Sequence, residues 1–219
     1  MTTSNTPEEF CSDRTLELDS LYDPPAERTQ KAVLSELFAM HIAYLEAATF
    51  FCLATGSDGG LDASPRGGPP GFVRMLDRRT VCYADWPGNN RIESMRNLQS
   101  DDRLGMLFLY PGLEIFMRIN GRGRLSVEPS LLEKLKEGER VPKTATVVSI
   151  DQVIVHCGKA VNRAKLWQDE SRLGRHALPS IGQMVAELTR LGDPQATVSE
   201  GEIAQIDKHY LHSVRNDLY

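Results

Sequence analysis

Apolar positions along this chain change period twice, and each change marks a shift in architecture. From Glu27 the apolar residues recur every three or four positions: Leu34, Leu37, Phe38, His41, Ile42 and Leu45. That spacing predicts a helix with one apolar stripe, and it makes His41 a packing residue within the stripe. From Phe50 the pattern shortens. Phe50 to Thr55 reads as a buried strand, Gly56 to Gly60 as a turn, and Leu61 to Arg66 as a returning strand. Gly67 to Gly71 reads as a loop, because Pro69 and Pro70 cannot sit in a central strand. Phe72–Leu76 and Thr80–Ala84 form a predicted hairpin around Asp77, Arg78 and Arg79.

A short helix is expected over Ile92–Gln99, then an interior strand over Leu104–Tyr110 and a long strand over Ile115–Val127. Gly121 and Gly123 inside that long strand predict a bulge or bend. Helices follow at Leu131–Gly138 and Lys159–Trp167, with a β-branched strand over Thr146–His156 between them. Two more helices, Ile181–Leu191 and Glu202–Leu218, close the chain. Six or seven strands at hairpin spacing, flanked by helices, favour a small antiparallel barrel over a βαβ sheet. Residues 1–26 read as a mobile lead-in, 27–170 as the barrel domain and 171–219 as a helical extension.

Composition narrows the function. A chain of 219 residues buries roughly 70% of its unfolded surface and needs neither disulfide nor metal to hold a core. The formal charge of -5 argues against non-specific nucleic-acid binding, which needs a basic face. No apolar run approaches a membrane span, and the polar first thirteen residues do not read as a signal peptide. The four cysteines form no CxxC pair; Cys52 and Cys82 fall in apolar runs and read as small hydrophobes, so a cytoplasmic setting is expected. His209 and His212 have no third ligand nearby in sequence, so no metal site is expected.

The chemistry concentrates between Asp62 and Asn97. Ser64 and Arg66, two apart on an extended chain, face the same way. Asn89, Asn90 and Arg91 come just before a predicted helix, whose first N–H groups attract anions while the arginine adds charge and a planar fork. Two such clusters joined by a hairpin-sized spacer can converge on one phosphate. Arg118 lies between Met117 and Ile119 on a strand and therefore faces away from them. Lys159, Arg163 and Trp167 fall four apart, on one face of the predicted helix. No GxSxG, HExxH or Walker loop is present.

Ordered motifs add to this reading. Asp62-x-Ser64-Pro65-Arg66-Gly67-Gly68, Pro70-Gly71-Phe72-Val73, Pro87-Gly88-Asn89-Asn90-Arg91, Ser94-x-x-Asn97, Pro111-Gly112 and Arg118-Ile119-Asn120-Gly121-Arg122 resemble the flavoproteins related to pyridoxamine 5′-phosphate oxidase. Cys157-x-Lys159-Ala160, Arg163 and Leu166-Trp167 resemble one subgroup. The resemblance implies an α+β fold that is mainly β, a split antiparallel β-barrel with helical additions. It implies a homodimer with FMN at the interface and a small-molecule substrate.

Carried over by position, Ser64, Pro65 and Arg66, with Gly67 beside them, would line FMN, and Asn89, Asn90 and Arg91 would form its phosphate turn. Arg118 is either a surface arginine or a contact with the flavin ring or substrate, and Lys159 and Arg163 lie on a face that packs at the dimer interface or sends one basic group into the partner's cofactor groove. Where the true oxidase carries an arginine and later a lysine, this chain has Ser64 to Gly68. Its tail continues into polar helices instead of a Trp followed by an Arg-rich strand. An FMN-dependent oxidoreductase is the leading expectation. A flavin reservoir or sensor without turnover, and a split barrel for haem or a deazaflavin, are the alternatives.

Overall fold

A computed structural model describes residues 17–86, 88, 90–174 and 177–218. Among these described residues seven strands build one antiparallel sheet: β1 (Phe50–Ser57), β2 (Gly60–Gly67), β3 (Val73–Asp77), β4 (Thr80–Asp85), β5 (Arg103–Leu109), β6 (Ile115–Ser126) and β7 (Thr144–Cys157). Their order is β2-β1-β5-β6-β7-β4-β3, so β2 and β3 are the two edges. The sheet curls around its apolar face without pairing those edges, which gives the expected split antiparallel β-barrel.

Alternation along each strand decides what fills the barrel. Phe51, Leu53, Met106, Phe108, Met117, Ile119, Val81, Val148 and Val153 are all essentially inaccessible to solvent and belong to one core cluster. Phe51 sits at its centre, with ring centroids 5.1 Å from both Tyr83 and Phe108 and 5.7 Å from Phe72. Burying a ring of this size contributes about 3 kcal/mol against leaving it in water. The opposite face of β4 is covered too: Cys82 packs with Ala145 beneath Leu132 and Leu135. Burial pushes the Cys82 thiol up to about 11, against weaker pulls from Arg74 and Lys134.

β1 is not buried on both faces as its apolar run predicts. Phe51, Leu53 and Thr55 point inward, whereas Cys52 and Ala54 are exposed. Among the described residues nothing covers the outer face of β1 as Leu132 and Leu135 cover that of β4, so Cys52 is a surface thiol rather than a core hydrophobe.

Gly121 marks the predicted irregularity. Pairing between β6 and β7 slips between Asn120 and Gly121, and a Cβ on Gly121 would lie 2.1 Å from the Ser149 carbonyl oxygen. The bulge sharpens the bend of the two longest strands, which is how a short sheet curls. β1 and β2 join through Asp58 and Gly59, and Gly60 takes the left-handed φ of +123°. Pro65 costs β2 a backbone donor, a loss that an edge strand tolerates.

The helices are α1 (Leu18–Leu21), α2 (Glu27–Lys31), α3 (Ala39–Ala47), α4 (Glu93–Ser100), α5 (Pro129–Lys134), α6 (Lys159–Ala164), α7 (Ile181–Gly192) and α8 (Glu200–Asn216). The single helix expected from Glu27 through Leu45 is broken in two. Leu34 exchanges backbone hydrogen bonds with Val153 (3.0 and 2.7 Å), and the Leu37 N–H donates to the Arg78 carbonyl at 2.7 Å. Those long-range bonds hold residues 34–37 out of the helix, overriding the local 3.6-residue period. Helix resumes at Ala39, where His41 Nδ1 accepts the Phe38 N–H at 3.1 Å. His41 is fully buried, as its place in the stripe predicts, and its Nε2 has no partner among the described residues.

α6 stops at Ala164, because Lys165 turns left-handed at φ +50°. Trp167 therefore leaves the helical face predicted for it and donates its indole N–H to the Leu113 carbonyl at 2.9 Å. α7 and α8 begin with Ser180 and Ser199 caps and cross closely at Gly182, whose N–H donates to Asp207 at 2.7 Å. The expected lead-in overlaps the described residues at 17–26, which carry α1 and are exposed; Cys11 lies outside the described residues.

Candidate functional site

The barrel leaves its open edge beside the motif region. Among the described residues β2 pairs only with β1, and its half-buried residues are Asp62, Ser64 and Arg66, while Ala63, Pro65 and Gly67 are exposed. The period of two thus aims all three polar side chains at one place. α4 lies across the same edge, anchored by buried Leu98 and by Asn97, whose Nδ2 donates to Thr55 Oγ1 at 3.2 Å. Ahead of α4, Asn90 adopts φ +58°, a conformation Asn accepts more readily than most residues. These constraints bring the turn against β2.

A cleft of about 500 Å³ lies between them, lined by Asp62, Ser64 and Arg66 from β2, Gly88 and Arg91 from the turn, and Glu93 and Ser94 from α4. A second recess of about 320 Å³ shares Arg66, Gly88 and Arg91 and adds Asp85, Trp86, Asn90 and Lys143. Arg66 and Arg91, on separate elements of the chain, are therefore neighbours of the same two spaces.

Arg66 is poorly satisfied. Its Nη2 donates to Ser94 Oγ at 3.5 Å, its Nη1 to the adjacent Pro65 carbonyl at 3.4 Å, and its buried Nε has no partner among the described residues. Both bonds are long for an N–H···O pair. Ser94, almost fully buried, donates its own proton to Asp62 in a short hydrogen bond. Arg91 Nε meets Glu93 Oε1 at 3.5 Å. Behind Arg66, burial raises the Asp85 carboxyl above the usual carboxylate range, while Arg66 and then Lys143 pull it back. Burial also raises Tyr83, opposed by Thr146 and by Arg66. The Tyr83 hydroxyl is buried near both without good hydrogen-bond geometry to either.

Of the residues singled out from sequence, Ser64, Pro65, Arg66 and Arg91 line the larger cleft and Asn90 lines the second recess. Gly67 borders a third, smaller recess beside Arg66 and Tyr83. Asn89 lies outside the described residues. Arg118, Lys159 and Arg163 do not line any of these spaces. Arg118 is exposed on the outer barrel face, as its place between Met117 and Ile119 predicts. Its neighbours across the sheet are Leu107 and Ile154, and Cys52 lies beyond Leu107 in the same row. On that face His156 stacks on Phe116 at 5.5 Å, and burial, with Arg118 adding to it, lowers its pKa. Lys159 and Arg163 are exposed on α6.

Sequence reasoning missed Asp62, Asp85, Glu93, Ser94 and Lys143 as cleft residues. Asp62 was within reach, since it shares the alternation of Ser64 and Arg66. Asp85 and Lys143 enter only through the β4–β7 pairing of Asp85 with Thr144, which no local pattern announces.

Fold and cleft together define a split-barrel protein with an arginine-lined, partly buried cleft at its open edge. The chain belongs to the pyridoxamine 5′-phosphate oxidase family, whose profile matches residues 40–157, more than half of its length. Among solved structures it is similar to HupZ from Group A Streptococcus, with 18% identity over 53% of this chain and 92% of that one and a TM-score of 0.43. It is also similar to General Stress Protein 26 from Bacillus anthracis, with 8% identity over 52% and 88% and a TM-score of 0.42. A FAD-binding protein from Mesorhizobium loti has 20% identity over 56% and 96%, with a TM-score of 0.37. No curated protein matches the chain. Among the described residues, no helix is long and apolar enough to cross a membrane.

Proposed function

We propose that this protein binds FMN as a homodimer and serves as an oxidoreductase for a small molecule. The observation that carries the reading is the shared position of Arg66 and Arg91, from two separate elements, around one cleft. The Arg66 fork suits a phosphate ester: its Nε is buried and unpaired, and its other bonds are long enough to yield to a better acceptor. Ser64, Pro65, Gly67 and Asn90 border the same region, and Asn89 belongs to the same turn in sequence. Family membership supports the flavin, which when bound supplies a two-electron carrier of hydride. The protein's own part is then to fix the phosphate, hold the ring and keep water from it.

A dimer suits the outer sheet face. Cys52 and Ala54 leave small exposed positions on β1, and Arg118 stands in the row with Cys52, where a second copy would set it beside a bound ring. Exposed Lys159 and Arg163 are the groups we assign to the partner's groove. In this reading residues 27–170 form the flavin domain, 1–26 precede it, and 171–219 form a helical extension, in which α7 and α8 pack on each other. Cys52, Cys82 and Cys157 are free thiols, which suits a reducing cytoplasm.

The absorbance spectrum of the protein as purified, followed by FMN titration of stripped protein, tests the reading. An oxidised-flavin spectrum and a one-to-one stoichiometry per chain are expected, with binding sharply weakened in Arg66→Ala and Arg91→Ala. Wild-type FMN affinity in both variants rules out the phosphate assignment. Nicotinamide oxidation by the loaded protein then separates turnover from storage.

A further inference from the structure

The cleft is not a simple anion trap. Arg66 and Arg91 bring two positive charges, and Asp62 and Glu93 bring two negative ones. A bare phosphate would gain from the arginines and lose to the carboxylates. Asp62 is the more telling of the two acids. One of its oxygens accepts from Ser94, and its other oxygen, Oδ1, has no hydrogen-bond partner among the described residues. It lies half-buried, in line with Ser64 and Arg66 on β2. That oxygen faces the cleft and is open to solvent, so a donor from a ligand can take the place of water on it.

We propose that Asp62 is a specificity residue that reads a hydroxyl group on the ligand, two or three carbons from its phosphate ester. This rests on the phosphate reading of Arg66 and Arg91 and adds a second requirement to it. Ser94 Oγ sets the distance, because it bonds both Arg66 and Asp62. The two head groups are then separated by at most two hydrogen-bond lengths, about 6 Å. A phosphate held by Arg66 puts a hydroxyl two or three carbons along the ester chain within reach of Asp62. A hydroxyl on the ester chain donates to the open carboxylate oxygen without adding a further cation to the cleft. The ligand class is therefore a phosphorylated polyol or sugar chain. Phosphorylated side chains of proteins and simple alkyl phosphates lack the second group.

The test compares two ligands by quenching of flavin fluorescence: FMN, and an isoalloxazine carrying a five-carbon phosphoalkyl chain without hydroxyls. Wild-type protein is expected to prefer FMN by tenfold or more. Asp62→Ala is expected to bring the two ligands within threefold of each other while still binding both. Asp62→Asn, which is isosteric and keeps one acceptor oxygen, is expected to fall between. Equal affinity of the wild type for both ligands overturns the role of Asp62 and leaves the phosphate reading standing. An unchanged preference in Asp62→Ala likewise overturns it. Failure of the wild type to bind either ligand overturns both readings at once.

Discussion

Arg66 on an edge strand and Ser94 in a helix 28 positions later meet at 3.5 Å, Nη2 to Oγ. The contact ties β2 to α4 across the candidate cleft and leaves most of the guanidinium fork open. A lysine here keeps the charge but presents one compact ammonium in place of a planar fork, and it cannot span Ser94 and a phosphate in the same geometry. Arg66→Lys should weaken FMN about tenfold and Arg66→Ala about a hundredfold, roughly 1.4 and 2.7 kcal/mol. Titration of stripped protein checks the order. Equal affinity of wild type and the Lys variant would show that charge alone matters.

Asp85 should oppose the anion. It lines the recess shared with Arg66 and Arg91, and burial raises its pKa above the usual carboxylate range. Above that raised pKa it is charged and competes with a phosphate for Arg66; below it the competition ends. Asp85→Asn should therefore bind FMN several-fold tighter than wild type at pH 7 and above. The ratio of the two affinities should shrink towards one as pH falls through the raised pKa. Using the ratio cancels the titration of the phosphate itself. A pH-independent ratio would remove Asp85 from the site.

Local patterns carried much of this structure, and the reasons they stopped are physical. The period-two alternation of β6 correctly set Arg118 opposite Met117 and Ile119, and two glycines marked the bulge at Gly121. The Arg66 and Arg91 clusters were legible because turns and strand faces are local. The apolar period failed between Leu34 and Leu37, where hydrogen bonds to Val153 and Arg78 captured the backbone. Trp167 was misplaced because helical spacing says nothing about a left-handed residue two positions earlier, Lys165. Asp85 and Lys143 were invisible for a deeper reason. They reach the cleft through β4–β7 pairing, a contact between segments some sixty residues apart.

Acid should destabilise the fold through its histidines. Burial lowers His41, and burial with Arg118 lowers His156, from an ordinary value of 6.5. The unfolded chain then binds protons more readily than the folded one, so stability falls as pH drops below 6.5 and keeps falling until the depressed folded values are passed. Denaturant midpoints measured between pH 7.5 and 5 should decline across that window. His156→Gln should reduce the slope without removing it, since His41 remains. A flat profile in the wild type would mean that neither ring is neutral and buried in the folded state.

Gly121 offers the sharpest test of the barrel itself. A methyl group there would lie 2.1 Å from the Ser149 carbonyl oxygen and 3.3 Å from Val148 Cγ1. The first of these neighbours is backbone in the longest strand pair, so it cannot swing aside as a side chain end would. Relief requires β6 and β7 to move apart at the slip between Asn120 and Gly121. Gly121→Ala should cost about 3 kcal/mol, the upper range for overpacking a well-packed interior. Gly59→Ala, in the exposed turn between β1 and β2 and with only a hydroxyl 3.5 Å from the added carbon, serves as the control and should stay within about 0.5 kcal/mol of wild type. Chemical denaturation of the three proteins reads the difference directly. Similar midpoints for Gly121→Ala and wild type would mean that the two strands do not approach as closely as the bulge requires, and the curl that sets β2 against α4 would need another cause.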